Sequence, residues 1–205
     1  MRRLVLLCVA LFLGGPLMAI EEPAYAVESR SGDIEFRRYA PFVVARTTLP
    51  AEMERTDAAN AAFFILFKYI QGANTTKTSI AMTAPVLQEK GTEIAMTAPV
   101  IQEEGSDGWR VAFVLPAEFN LDNAPVPTDE RVKLELVPER RAAALQYSGR
   151  WTEANVARHT ERLLQGIKDA GASASGRVET AYYNAPYVPP FMRRNEVIVT
   201  VDAAP

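Results

Sequence analysis

A segment that occurs twice constrains the fold of this chain more than any other feature. Ile-Ala-Met-Thr-Ala-Pro-Val stands at 80–86 and again at 94–100, and both copies continue with an apolar residue, glutamine and glutamate. Within each copy the side chains alternate with the two-residue period of a β-strand. Two copies are too few for a solenoid. The sequence therefore predicts two strands joined by a turn at 89–92.

The register of this predicted hairpin stays open. A three-residue loop with Gly91 in the left-handed region would place Met82 and Met96 on one face, whereas a two-residue loop would place them on opposite faces. Pro85 and Pro99 have no amide donor, so both copies are expected to be edge or bulged strands. The two methionines would either fill gaps in the core or form a soft wall for a flat apolar ligand.

Residues 1–19 have the pattern of a secretory signal peptide. A charged start precedes an apolar run over 4–13, and small residues follow. Cleavage is expected after Ala19. A competing site follows Ala26, but cleavage there would remove the start of a predicted strand at Tyr25. We therefore expect a periplasmic or secreted protein.

The remaining residues, 20–205, are expected to form a single domain. The chain has 205 residues, 48% of them hydrophobic and 23% charged, which is typical of one globular domain. Cys8 lies in the predicted signal peptide, and His159 is the one histidine of the chain. A zinc or other transition-metal site would then depend on carboxylates nearly alone, so no metal site is expected.

Charge and hydropathy exclude some partners. The formal net charge is −3 and no basic tract stands out, so nucleic acid is not an expected partner. Beyond the N-terminus, no apolar run approaches the ~20 residues of a membrane span. A soluble monomer is expected.

Periodicity and turn residues predict eight further strands, a first helix from Thr56 or Asp57 to about Gln71, and a second helix capped by Thr152. Gly72 is placed to end the first helix. The strands are expected at 25–30, 34–39, 42–49, 109–115, 132–137, 142–148, 178–183 and 195–201. Strands, helix and strands thus occur twice in succession. The order predicts an α+β fold of two similar halves whose helices cover one antiparallel sheet.

The first helix is apolar nearly all round, since only Asn60 and Lys68 are polar within 58–70. Such a helix is either covered on every side or faces a ligand. The second helix has a conventional apolar stripe, with His159 at its margin and expected to be half exposed.

A late loop at 182–191 concentrates aromatic residues next to Arg193 and Arg194. It is either a rigid connection or a flat apolar wall whose cations could hold the carboxylates of a planar acid such as a tetrapyrrole.

No hydrolase elbow, phosphate loop or dinucleotide fingerprint is present. Glu196 and His159 are acid–base candidates without a supporting motif, so an enzyme is not the expected class.

Three segments together resemble one known family, the SOUL haem-binding proteins. They are KTSIAMTAPV at 77–86, YSGRW at 147–151 and YVPPFMRRNEV at 187–197, and the similarity spans about 22–201. The resemblance implies a distorted antiparallel barrel or sheet of about eight strands with two long helices and pseudo-twofold symmetry. That fold is similar to the effector-binding domains of bacterial regulators.

The resemblance also implies non-covalent binding of haem or another porphyrin along the first helix and the late loop. Arg55 and Arg193 are the implied propionate partners. Animal members have a basic residue in the middle of the first helix, whereas 61–67 is uncharged here. The candidate wall carried over onto this chain consists of Phe63, Phe64, Phe67, Met82, Tyr187 and Phe191.

The function expected from this resemblance is a haem carrier, buffer or scavenger. The alternatives are a binding module for another flat apolar molecule and an enzyme that acts on one.

Overall fold

The computed structural model describes residues 21–76, 78–90 and 108–202. This part of the chain forms nine strands, two α-helices and one short 3-10 turn at Pro190–Met192. The helices are α1 (Arg55–Ile70) and α2 (Glu153–Asp169). The strands are β1 (Tyr25–Ser31), β2 (Ile34–Tyr39), β3 (Phe42–Leu49), β4 (Val86–Lys90), β5 (Trp109–Val114), β6 (Lys133–Val137), β7 (Arg140–Tyr147), β8 (Ala174–Tyr182) and β9 (Asn195–Val201).

The nine strands form one antiparallel sheet with the order β1-β2-β7-β9-β8-β4-β5-β3-β6. Two units of the same topology make up this order. In the first, β3 leads through α1 to β4 and β5, and β5 lies between β3 and β4. In the second, β7 leads through α2 to β8 and β9, and β9 lies between β7 and β8. The units meet where β4 pairs with β8, so the predicted α+β fold with two similar halves is confirmed.

The two units exchange one strand each. β2 leads into β3 along the chain but pairs with β7, whereas β6 leads into β7 but pairs with β3. Each half of the sheet is therefore extended by the strand that leads into the other half. This exchange interlocks the halves into one domain.

Both helices cover the same face of the sheet. α1 packs with Leu66 and Tyr69 against a cluster that includes Phe113 of β5. α2 packs with Leu163 against a cluster that includes Tyr147 of β7. Phe113 and Tyr147 belong to one row of residues in register across the sheet, so their side chains share a face. The helices consequently flank the central pair of β4 and β8.

The start of α1 differs from the prediction. Thr56 and Asp57 lie inside the helix, and the N-cap is Glu54, whose side chain makes no capping hydrogen bond. The start is held instead by contacts of Arg55, whose carbonyl oxygen accepts a hydrogen bond from Gln88 Nε2 at 3.2 Å. At the other end, the helix ends at Ile70 with Gln71 as its C-cap, and Gly72 has a φ of 106°. The predicted cap of α2 is confirmed, because Thr152 accepts a hydrogen bond from the Asn155 amide.

The strand prediction for the first copy of the repeat is wrong over 80–85, which is irregular. The Ile80 amide donates to the Ile70 carbonyl oxygen and the Ala84 amide donates to that of Glu21, so neither joins a sheet ladder. Alternation of side chains does not by itself require pairing in a sheet. Hydrogen bonds to carbonyl oxygens of residues distant in the sequence hold this segment instead.

Only the end of that copy is strand, and β4 continues through Glu89 and Lys90, where a turn was predicted. β4 lies between β5 and β8, so the prediction of an edge or bulged strand is wrong for this copy. Pro85 precedes the strand and therefore removes no hydrogen-bond donor from it. The second copy at 94–100, with Gly91, Met96 and Pro99, lies outside the described residues.

Candidate functional site

Three phenylalanines give α1 an aromatic surface on its outer side. Phe64 is 64% exposed and Phe67 is 36% exposed, whereas Phe63 is half-buried. The Phe63 ring stacks on Phe67 with centroids 5.5 Å apart and meets the edge of Phe113 at 5.5 Å. Of the two possibilities left open by the sequence, α1 therefore has an apolar side that the core does not cover. An exposed apolar surface of this kind is typical of a binding site.

The sheet provides a floor beside this aromatic surface. Phe113 of β5 is in register with Val86 of β4, which is in register with Tyr182 of β8. Adjacent strands lie about 4.8 Å apart, so the three side chains span about 10 Å. Trp151, just before α2, lies 5.1 Å from the Tyr182 ring. We call this strip of the sheet, between α1 and Trp151, the interhelical groove.

The late loop closes against the second half of this groove. The Gly149 amide donates to the Pro190 carbonyl oxygen at 2.8 Å, which ties the loop to the segment before Trp151. Tyr187 is 88% exposed and Phe191 is 78% exposed. Both rings are therefore available to a ligand, although no ring contact joins either of them to the α1 phenylalanines within the described chain.

Arg193 shapes the late loop. Its guanidinium lies 4.3 Å from the Trp151 ring centroid. Nε donates to the Val188 carbonyl oxygen and Nη2 to that of Pro186, both at 2.7 Å. Because these donors are engaged inside the loop, the first effect of Arg193 is to hold the loop beside Trp151.

Arg55 lies at the start of α1 and reaches across to the second half. Nη1 donates to Thr180 Oγ1 on β8 at 3.3 Å, and the guanidinium lies 4.8 Å from the Trp109 ring centroid. Among the described residues, no carboxylate forms a salt bridge with Arg55. A cation so placed can receive an anionic group of a ligand.

Met82 lies in the irregular segment that follows α1 and is 44% exposed. The next side chain, Thr83, anchors the segment by donating to the Val114 carbonyl oxygen. Met82 is thus open to a ligand rather than part of the core.

His159 belongs to the second half of the site. Its ring stacks on Tyr147 with centroids 4.2 Å apart, and Nδ1 lies 2.7 Å from the Asn155 carbonyl oxygen. A carbonyl oxygen can only accept, so Nδ1 carries the hydrogen in the neutral ring. The prediction of a half-exposed histidine is confirmed.

Glu196, the other acid–base candidate, lies on the opposite face of the sheet within an ion-pair network. It is fully buried, and Arg37 binds both of its oxygens, at 2.8 and 3.1 Å. Tyr183 and Arg194 donate to it as well. Burial alone would raise the pKa of Glu196, but the hydrogen bonds and charges of these partners together lower it. Its carboxylate thus stabilises the fold as one member of a satisfied network.

Three side chains of the groove, namely Gln88, Tyr147 and Trp151, were not singled out from the sequence, whereas Tyr182 belongs to the late loop at 182–191. The segment 147–151, which carries part of the family resemblance, contains two of them and was the available signal. In the described residues no group of histidine, cysteine and acidic side chains could hold a metal ion. Over the same residues, no helix is long and apolar enough to cross a membrane.

Comparison with known proteins is consistent with this architecture. A family model described as SOUL heme-binding protein matches residues 20–200. Heme-binding protein 1 of Mus musculus is 31% identical over 149 residues, which cover 69% of this chain and 70% of that protein. Heme-binding protein 1 of Sus scrofa is 27% identical over 72% of this chain and 76% of that protein. Among solved structures, the EcmrR C-terminal domain is similar in fold, with a TM-score of 0.60 and 10% identity over 83% of this chain and 98% of that domain.

Proposed function

Because this chain belongs to the SOUL haem-binding protein family, we propose that it binds haem or another tetrapyrrole non-covalently in the interhelical groove. The observation that carries the proposal is the outer aromatic surface of α1, where Phe64 is 64% exposed and Phe67 is 36% exposed. A soluble domain gains nothing in stability from such a surface, whereas a flat apolar ligand would be held by it.

The residues present fit a macrocycle with acidic side chains. Phe64 and Phe67 offer flat rings to one side of it, and Tyr187 and Phe191 offer exposed rings from the late loop. Arg55 provides a cation at the end of the groove. When bound, haem supplies an iron centre with its own redox chemistry. The contribution of the chain is to enclose the ring, orient it and exclude water from its faces.

The role of this binding is proposed to be transport, buffering or scavenging outside the cytoplasm. The support is the predicted signal peptide, together with contacts of the residues that would follow cleavage after Ala19. Glu21 Oε1 accepts a hydrogen bond from the Ala117 amide, and Glu22 pairs with Arg194 at 2.9 Å. Cleavage after Ala26 would remove these contacts.

Hemin titration of the mature protein tests the proposed function. A Soret band that saturates at one hemin per chain, with quenching of tryptophan fluorescence, is expected because Trp151 borders the groove. Iron-free protoporphyrin and an uncharged planar dye are run in parallel. Equal affinity for the dye would favour the alternative, a module for other flat apolar molecules. Absence of saturable porphyrin binding would refute the proposal.

A further inference from the structure

Four buried polar atoms at the junction of the two halves lack a hydrogen-bond partner. They are the hydroxyl groups of Tyr147 and Tyr182, Nε of Arg55 and Oε1 of Gln88. Tyr147 is 6% exposed, Tyr182 is 8% exposed and Gln88 is 1% exposed. Buried polar groups in native proteins are normally satisfied, so several such atoms in one place indicate an absent partner.

Sheet register and hydrogen bonds bring these four side chains together. Tyr182 and Tyr147 are both in register with Asn195, one strand to either side of β9. Gln88 is in register with Thr180, whose hydroxyl accepts from Arg55. Burial raises the pKa of both tyrosines, and the positive charge of Arg55 partly opposes that rise. Four distant parts of the sequence thus meet beside the interhelical groove.

Three of the four atoms, the two hydroxyl groups and Arg55 Nε, can donate a hydrogen bond to an anion, whereas Gln88 Oε1 can only accept one. Both tyrosines stay protonated because burial raises their pKa, so each hydroxyl can donate a hydrogen bond. Arg55 adds a further donor and a positive charge for which the described residues provide no ion-pair partner. Water could satisfy these atoms, whereas a carboxylate would also form an ion pair with the charge of Arg55.

We propose that Arg55, Tyr147 and Tyr182 form a carboxylate-binding site at the junction of the two halves. The planar fork of an arginine matches the two oxygens of a carboxylate, and the two phenolic hydroxyl groups supply the remaining donors. The propionate of a haem is one such carboxylate, and in this respect the inference rests on the proposed function. The site also takes a free monocarboxylate.

Sodium propionate is the probe for the site, with propionamide as its uncharged match. Propionate is expected to raise the thermal unfolding midpoint of the protein in a saturable manner, whereas propionamide has no effect. The double variant Tyr147→Phe and Tyr182→Phe keeps both rings but removes both hydroxyl donors. It should fold and bind propionate at least tenfold more weakly. Tyr25→Phe, on β1 at the edge of the sheet, is the control and should bind propionate normally.

Three results would overturn the inference: equal shifts with propionate and propionamide, unchanged propionate affinity in the double variant, or tighter binding of inorganic phosphate than of propionate. Hemin and its dimethyl ester separate this inference from the proposed function. If the carboxylate site holds a propionate, hemin binds more tightly than the ester, and the double variant loses that difference. If propionate binds but no porphyrin does, the site stands and the proposed function fails. If hemin and its ester bind equally and propionate does not bind, the proposed function stands and the site fails.

Discussion

Phe64→Ala should weaken haem binding while leaving the protein folded. Phe64 is 64% exposed, so of the roughly 200 Å² that a phenylalanine can bury, about 130 Å² is open to a ligand. A flat ring covers one side of it, or roughly 65 Å², which at about 25 cal/mol per Å² contributes about 1.6 kcal/mol. Loss of that contribution raises the Kd about tenfold. By the same coefficient, the roughly 70 Å² of Phe64 that is already buried contributes about 1.8 kcal/mol, so the free energy of unfolding should fall by no more than about 2 kcal/mol.

The assay pairs a hemin titration, followed in the Soret band, with a urea unfolding curve for each variant. Phe63→Ala should behave differently from Phe64→Ala, since Phe63 packs against Phe113 and its loss costs about 3 kcal/mol of stability. Val27→Ala, an exposed apolar change on the edge strand β1, serves as the control and should affect neither property. If Phe64→Ala and Phe67→Ala both bind hemin as tightly as the unmodified protein, the α1 surface is not the binding wall.

Three further predictions concern maturation, iron ligation and acid stability. The intact mass of the protein isolated from the periplasm should correspond to a chain that starts at Ile20, because a start at Val27 would remove the contacts of Glu21. A mass that corresponds to a start at Val27 would refute this prediction. His159→Ala should lower hemin affinity less than tenfold, since burial of apolar area provides most of the binding; a larger loss, with a change from a histidine-ligated Soret spectrum, would show that His159 is an axial ligand. Glu196→Gln should cost about 3–5 kcal/mol in urea unfolding. The pKa of Glu196 is lowered in the folded state, so its contribution to the free energy of unfolding is complete above the ordinary glutamate pKa. That contribution is lost as the pH falls towards the folded-state pKa. Unfolding midpoints that stay constant through this acid range would refute the stabilising role of Glu196.

Much of the fold could be predicted from local patterns. β9 was predicted with its observed bounds, Asn195–Val201, and the Thr152 cap of α2 was identified from one residue type. These features depend on neighbours within a few residues. The segment 80–85 could not be predicted in the same way, because its hydrogen bonds run to carbonyl oxygens of α1 and of the N-terminal segment.

The candidate site was predicted only in part for a similar reason. The unusual composition of α1 left two possibilities, a helix covered on every side or one with an apolar side open to a ligand, and the exposure of Phe64 and Phe67 decides for the second. Tyr147, Tyr182 and Arg55 carry no common signal in the sequence, and their junction exists only through the pairing of β4 with β8. The burial of a polar atom without a hydrogen-bond partner is a property of the folded state, so the sequence alone does not indicate the proposed carboxylate site.

The position of β9 has a consequence for how the protein is made. β9 is the last strand along the chain, yet it lies between β7 and β8 near the middle of the sheet. While a ribosome is still synthesising the chain, the second half of the sheet lacks its central member, and strand pairings between distant residues form slowly in any case. Folding of the second half therefore cannot be completed before β9 has been synthesised.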